Sequence, residues 1–184
     1  MVKLGIICEG ESETIVLKSE PFISFLRELS IELIAVQETG SKNQFFGGRF
    51  EKHKATIKDK GAEVVLALFD LDKDECPSKL KESSDLTENE IGVIAINEFE
   101  SWYLADNFAL SKLLEKKINV DFPESYDEPI KEIVRLNDDK SFGKSKPRLA
   151  QKMLKNGFSI ENAANHPNCD SAKYFIKKLK SLSN

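Results

Sequence analysis

The sequence predicts an α/β fold: a mainly parallel four-stranded sheet flanked by helices, continued by a helical C-terminal extension. Two observations carry that expectation. Four short segments are apolar and β-branched rather than alternating, which suits strands buried on both faces. Segments with apolar residues at helical spacing separate them, the order expected of parallel strands joined by helical crossovers.

Val2–Cys8 is the first strand, bounded by Glu9-Gly10. From Ser12 onward Ile15, Val16, Phe22, Phe25, Leu26 and Leu29 recur at helical spacing, and Pro21 divides or kinks that run. Residues 32–36 read as a second strand. A polar loop over 40–48 then leads into a helix over 49–60. Residues 63–69 form strand three, ending at Asp70; a Pro- and Lys-rich link follows, then strand four over 92–96. Helical spacing returns at 99–105 and 110–114. Pro129–Leu136, 147–154, Ile160–Ala164 and 172–182 each show helical periodicity, a proline near the start, or both. We read one domain, with a core over 1–110 and a basic helical extension over 111–184.

The length of 184 residues suits one core, and 40% hydrophobic with 32% charged residues excludes collagen-like, low-complexity and wholly disordered classes. The longest apolar runs fall far short of the ~20 residues needed for a membrane span, and the start lacks a signal-peptide pattern, so a cytoplasmic protein without membrane contact is expected. Cys8, Cys76 and Cys169 have no paired spacing and read as reduced thiols rather than a disulfide framework or zinc site. His53 and His166 are isolated and read as surface or capping residues. The net charge of −4 hides a polarity: residues 1–139 hold 17 Lys+Arg against 29 Asp+Glu, and residues 140–184 hold 10 against 2. The basic tail touches a phosphate-bearing partner or docks on its own acidic body; both readings stand.

In an open parallel sheet, function lies beyond the carboxyl ends of the strands. Those ends are acidic here: Glu9-Gly10-Glu11-Ser12-Glu13, then Asp70-Leu71-Asp72-Lys73, then Glu98-Phe99-Glu100. Carboxylates converging on one rim repel unless cations neutralise them, and Mg²⁺ or Mn²⁺ prefers such oxygen ligands. Asp70 and Asp72, two apart, share a side of an extended continuation of strand three. Glu13 falls one helical turn after Glu9 and either shares its site or serves the helix dipole. Glu11 is expected to face solvent, and Trp102 to pack in the core. Ser145 and Lys146, with Lys144 and Arg148, are the expected phosphate contacts of the tail, on a loop entering a helix at Pro147.

The Glu9-Gly10 turn and the Asp70-x-Asp72 pair resemble the shared signature of the TOPRIM superfamily. The wider pattern of Glu9-Gly10-x-x-Glu13, Asp70-x-Asp72 and Glu100-x-Trp102-x-Leu104-Ala105-Asp106 resembles the bacterial and archaeal TOPRIM-like family called domain of unknown function 4276, over roughly residues 1–110 and weakly in the tail. The resemblance implies a TOPRIM-like fold and Mg²⁺-dependent phosphoryl chemistry on DNA or RNA, in phage-defence or mobile-element settings. It implies that Glu9, Asp70 and Asp72 hold one metal, that Glu13 with Glu100 or Asp106 helps hold a second, and that Lys73 opposes transition-state charge or is an ordinary surface lysine.

A zinc ribbon and the pattern G-x-x-x-x-G-K-[ST] are both missing from the sequence. The expectation is therefore a nuclease related to the overcoming-lysogenization-defect type, with any ATPase or other protein partner on a separate chain. Two alternatives remain: a non-catalytic binding subunit whose acidic rim contacts a protein, and a phosphohydrolase of small phosphate esters.

Overall fold

The structure is a computed structural model describing residues 1–73, 76–140 and 145–183. Its order is β1 (Val2–Cys8), α1 (Glu11–Leu17), α2 (Glu20–Glu28), β2 (Ile31–Glu38), a 3₁₀ turn (Lys42–Phe45), α3 (Phe50–Asp59), β3 (Val64–Asp70), α4 (Pro77–Ser83) and β4 (Ile91–Ala95). Then come α5 (Ser101–Ala105), α6 (Asn107–Leu114), a 3₁₀ turn (Pro123–Ser125), α7 (Pro129–Leu136), α8 (Lys146–Lys155), α9 (Ile160–Ala164) and α10 (Asp170–Lys180). The four strands form one all-parallel sheet in the order β2-β1-β3-β4, flanked by helices, so the expected α/β class is present.

Each strand is apolar on both sides because both sides are covered. On one face Leu4, Ile6 and Cys8 of β1 and Leu66 and Leu68 of β3 pack with α1, α2, α5 and the C-terminal helices. On the other, Ile7, Val65, Ala67 and Phe69 pack with Phe45, Phe50 and Ile57 from the 3₁₀ turn and α3. A Cβ at Gly5 would lie 2.1 Å from Ile57 Cγ2, so the glycine lets α3 approach β1 closely. Ile133, Leu149, Met153, Phe158, Phe175 and Leu179 belong to the same cluster as Leu4 and Ile6, so the C-terminal segment covers the sheet. Among the described residues no helix is long and apolar enough to cross a membrane.

The run that Pro21 is expected to divide or kink is divided: it separates into two helices at Ser19, and Pro21 lies in the first turn of α2, where its missing N–H is no loss. Two local features differ from the sequence reading. The link after strand three contains α4, whose one buried residue, Leu80, gives no visible periodicity. Helix α10 starts at Asp170 because Glu124 accepts from the N–H groups of Asp170 (2.8 Å) and Ser171 (2.9 Å), a cap supplied from 46 positions away.

Candidate functional site

Because the sheet is parallel, the ends of β1, β3 and β4 lie on one edge, and their carboxylates clasp one another's backbone. Glu9 Oε1 accepts from Asp70 N at 2.8 Å, and Asp70 Oδ1 accepts from Phe99 N at 2.8 Å. Asn97 takes a left-handed conformation (φ 59°), which Asn tolerates better than most residues, and its amide donates to the Glu124 and Tyr126 carbonyls. This turn brings Glu98 and Glu100 back over the rim.

Helix α1 supplies a further carboxylate, Glu13. Ser12 Oγ lies 3.0 Å from Glu13 Oε2 and 3.3 Å from Glu100 Oε1. A Cβ at Gly10 would sit 3.2 Å from Glu13 Oε2, so glycine leaves room for that carboxylate. A serine carries one hydroxyl proton, so of these two contacts one lacks a hydrogen unless a carboxyl is protonated. Glu13, Asp70 and Glu100 are 6%, 7% and 1% exposed.

Burial dominates the electrostatics. It pushes Glu9 up to about 7 against the Asp70 N–H, which favours the anion, while the charges of Asp72 and Glu13 add to the rise. It pushes Glu100 to about 7 as well, with Lys146 opposing and Glu13 reinforcing. Asp70 is held well above the usual carboxylate range by burial, then by Glu13, Glu100 and Glu9. Two cations among the described residues oppose this set: Lys42, paired with Asp72, acts on Glu9, and Lys146 Nζ lies 3.1 Å from Glu100 Oε2 and 3.3 Å from Glu98 Oε2. The Lys146 side chain is 44% exposed, so water screens part of that pairing.

Two buried hydroxyls, Ser101 Oγ and Tyr103 Oη, have no hydrogen-bond partner among the described residues. Tyr103 is raised far above its usual range by burial first, then by the charges of Glu100, Glu13 and Asp70, so it lies within their field. Glu9 Oε2, Glu13 Oε1 and Asp70 Oδ2 accept no hydrogen bond from any described residue. Hard carboxylate oxygens and an orphaned hydroxyl suit Mg²⁺ or Mn²⁺ as a donor set. Among the described residues, however, no group of three or more His, Cys, Asp or Glu stands in a metal-binding arrangement.

Thus Glu9, Glu13, Asp70 and Glu100 are brought together, while Asp72 and Asp106 are placed differently from the sequence reading. The extended continuation past strand three is not formed: Asp72 has φ 53°, turns the chain, and pairs with Lys42 Nζ at 2.6 Å. Asp72 still contributes to the field at Glu9. Asp106 does not join the cluster. Its Oδ1 caps α6 by accepting from Ala109 N, and its Oδ2 accepts from Ser159 N and Asn162 Nδ2. A short helix ending where another begins needs a cap, and Asp is well suited to that role.

No family model, curated protein or solved structure matches the chain. The site therefore rests on its own geometry.

Lys73 is exposed on the turn after β3, and Glu11 is exposed as expected. Ser145 Oγ accepts from Arg148 N at 3.4 Å as the cap of α8, Arg148 is exposed, and Lys144 lies outside the described residues. Lys146, read from sequence as a phosphate contact, is docked on the acidic rim. The opposed charge of the two parts of the chain carried that alternative. Trp102 is fully buried in the core, its indole N–H donating to Ser171 Oγ at 2.7 Å. Glu98, read from sequence as a strand-end carboxylate, lies on the rim beside Lys146, while Ser12 and Tyr103 are site residues without a spacing signal. Only the return of the chain at Asn97 and the packing of α8 against α1 bring them in.

Proposed function

We propose that this chain is a TOPRIM-like, Mg²⁺- or Mn²⁺-dependent hydrolase of phosphodiesters in DNA or RNA. The observation that carries the reading is the half-buried Glu9 with the buried Glu13, Asp70 and Glu100 at one sheet edge, opposed among the described residues by Lys146 and, at Glu9, by Lys42. A divalent ion bound there would supply Lewis acidity and an activated water. Glu9, Glu13 and Asp70 would hold it, with Glu100 and Asp72 at the margin. Lys146 sits where it can oppose charge on a phosphoryl oxygen, and Ser145 and Arg148 flank it on the side a polymer backbone would reach.

Calorimetric titration with Mn²⁺ and Mg²⁺ tests the reading, followed by assay on plasmid, single strands, RNA and mononucleotides. EDTA-reversible binding that Asp70→Asn removes, together with cleavage of a polymer, is the expected result. Folded protein that binds neither metal would end the proposal, and turnover of mononucleotides alone would move it to small phosphate esters. The second reading, a non-catalytic rim that binds a protein, is favoured by one observation: the Lys146 ammonium already answers part of the acidic charge. Metal-independent stability across pH 5–8 would support it.

A further inference from the structure

Strand β4 forms one edge of the sheet, and no described strand pairs with its outer side, although Gly92 and Ile94 are themselves buried between neighbouring segments. Ala95 O accepts from Leu71 N, and Asn97 O accepts from Asp72 N, so 91, 93, 95 and 97 turn their peptide groups towards β3 and its continuation. By the two-residue alternation of a strand, Gly92 and Ile94 turn their N–H and C=O groups the other way, and Ile96 follows just past the strand's end. No described residue hydrogen-bonds to those outward groups. The same three residues line a groove of about 820 Å³, walled by α4 and the 84–90 segment on one side and by Asp170 and Tyr174 of α10 on the other. An unpaired edge is a template for an added strand unless something blunts it. Here the groove leaves space for one.

The walls decide the occupant. Leu86, Ile94 and Ile96 supply apolar surface, while Glu82 and Glu88 are exposed carboxylates on the lining beside the cation Lys81; Asp170 is also on the lining but pairs with Lys173 at 3.1 Å. Glu90 is also on the lining, but its carboxylate is taken up by Lys54 at 2.7 Å. Pairing two copies through β4 would bring these acidic walls against each other. We propose that the groove binds an extended peptide of another protein, basic on one side and small and apolar on the other, which adds as a fifth strand beside β4. Main-chain bonds to Gly92, Ile94 and Ile96 fix its path, and lysine or arginine side chains meet Glu82 and Glu88. The surface is separate from the carboxylate rim, so it stands whether or not the metal reading does.

The probe is the hexapeptide Ac-(Lys-Val)₃-NH₂, followed by fluorescence anisotropy and by amide hydrogen exchange of the full chain. Without peptide, Gly92, Ile94 and Ile96 should exchange faster than Leu66 and Leu68. With peptide, their exchange should slow, binding should weaken as salt rises, and Glu82→Lys with Glu88→Lys should weaken it by about tenfold or more. A peptide N-methylated at alternate residues loses the donors along one edge and should bind at least about tenfold more weakly. Absence of binding at about 1 mM peptide would overturn the proposal. So would binding that N-methylation leaves unchanged, which would mark charge attraction without strand addition. Protection of the same three amides by self-association at rising protein concentration would replace the peptide with a second copy.

Discussion

Neutralising Glu9 while keeping its shape tests whether the rim is a crowded anionic site. Burial and neighbouring negative charge raise its carboxyl from an ordinary 4.5 to about 7. Between those values the folded chain keeps a proton that the unfolded chain releases, so stability falls as pH rises from about 4.5 to 7 and is flat above. At 1.36 kcal/mol per tenfold change in proton affinity, the ionised group costs at most about 3 kcal/mol at pH 8. Glu9→Gln removes that cost and keeps an oxygen to accept from Asp70 N, with about 1 kcal/mol returned because a neutral acceptor is weaker than a charged one. The expected net gain is about 2 kcal/mol at pH 8 and about zero at pH 4.5, or about 4–8 °C in Tm for a domain of this size. Thermal and urea unfolding in EDTA at the two pH values measures it. A variant destabilised equally at both would show that Glu9 is needed as an anion for folding, and the crowding argument would fail.

Lys146→Met should lower stability at pH 8 by no more than about 1 kcal/mol, because the pair is partly solvated, and should have little effect at pH 4.5, where Glu100 is protonated. Unfolding midpoints at the two pH values check it. Asp106→Ala should cost about 2–4 kcal/mol, since the caps at Ala109 N and Ser159 N are lost, yet leave metal affinity unchanged in the folded protein. Mn²⁺ binding near pH 7 should release protons, because Glu9 and Glu100 both titrate there. Calorimetry in two buffers of different ionisation enthalpy counts them, and a count of zero would place the metal elsewhere.

Strand positions were legible from uniform apolarity, and the parallel sheet from the helical segments between strands. The rim followed, since parallel strands put Glu9 and Asp70 on one edge whatever the detail. Asp72 was misplaced because the alternation of a strand was extended past its end, where φ 53° breaks it. Asp106 was misplaced because a capping carboxylate and a ligand carboxylate look identical in sequence. Its partners at Ser159 and Asn162 are more than fifty residues away. Helix α4 was missed for want of a second buried apolar residue.

The rim costs the fold stability, and that is the reason to read it as a site. Buried carboxylates of one sign are retained only where added positive charge or protons complete them. A rim needed only to join strand ends would do as well with amides, which accept the same hydrogen bonds from Asp70 N and Phe99 N without repulsion. Instead one partly solvated lysine faces Glu98 and Glu100, Ser12 has one proton for two acceptors, and the Tyr103 hydroxyl is buried without a partner among the described residues. The first two deficits are met together by protons at low pH or by a hard cation at neutral pH, and protons and metal would then compete for the same oxygens.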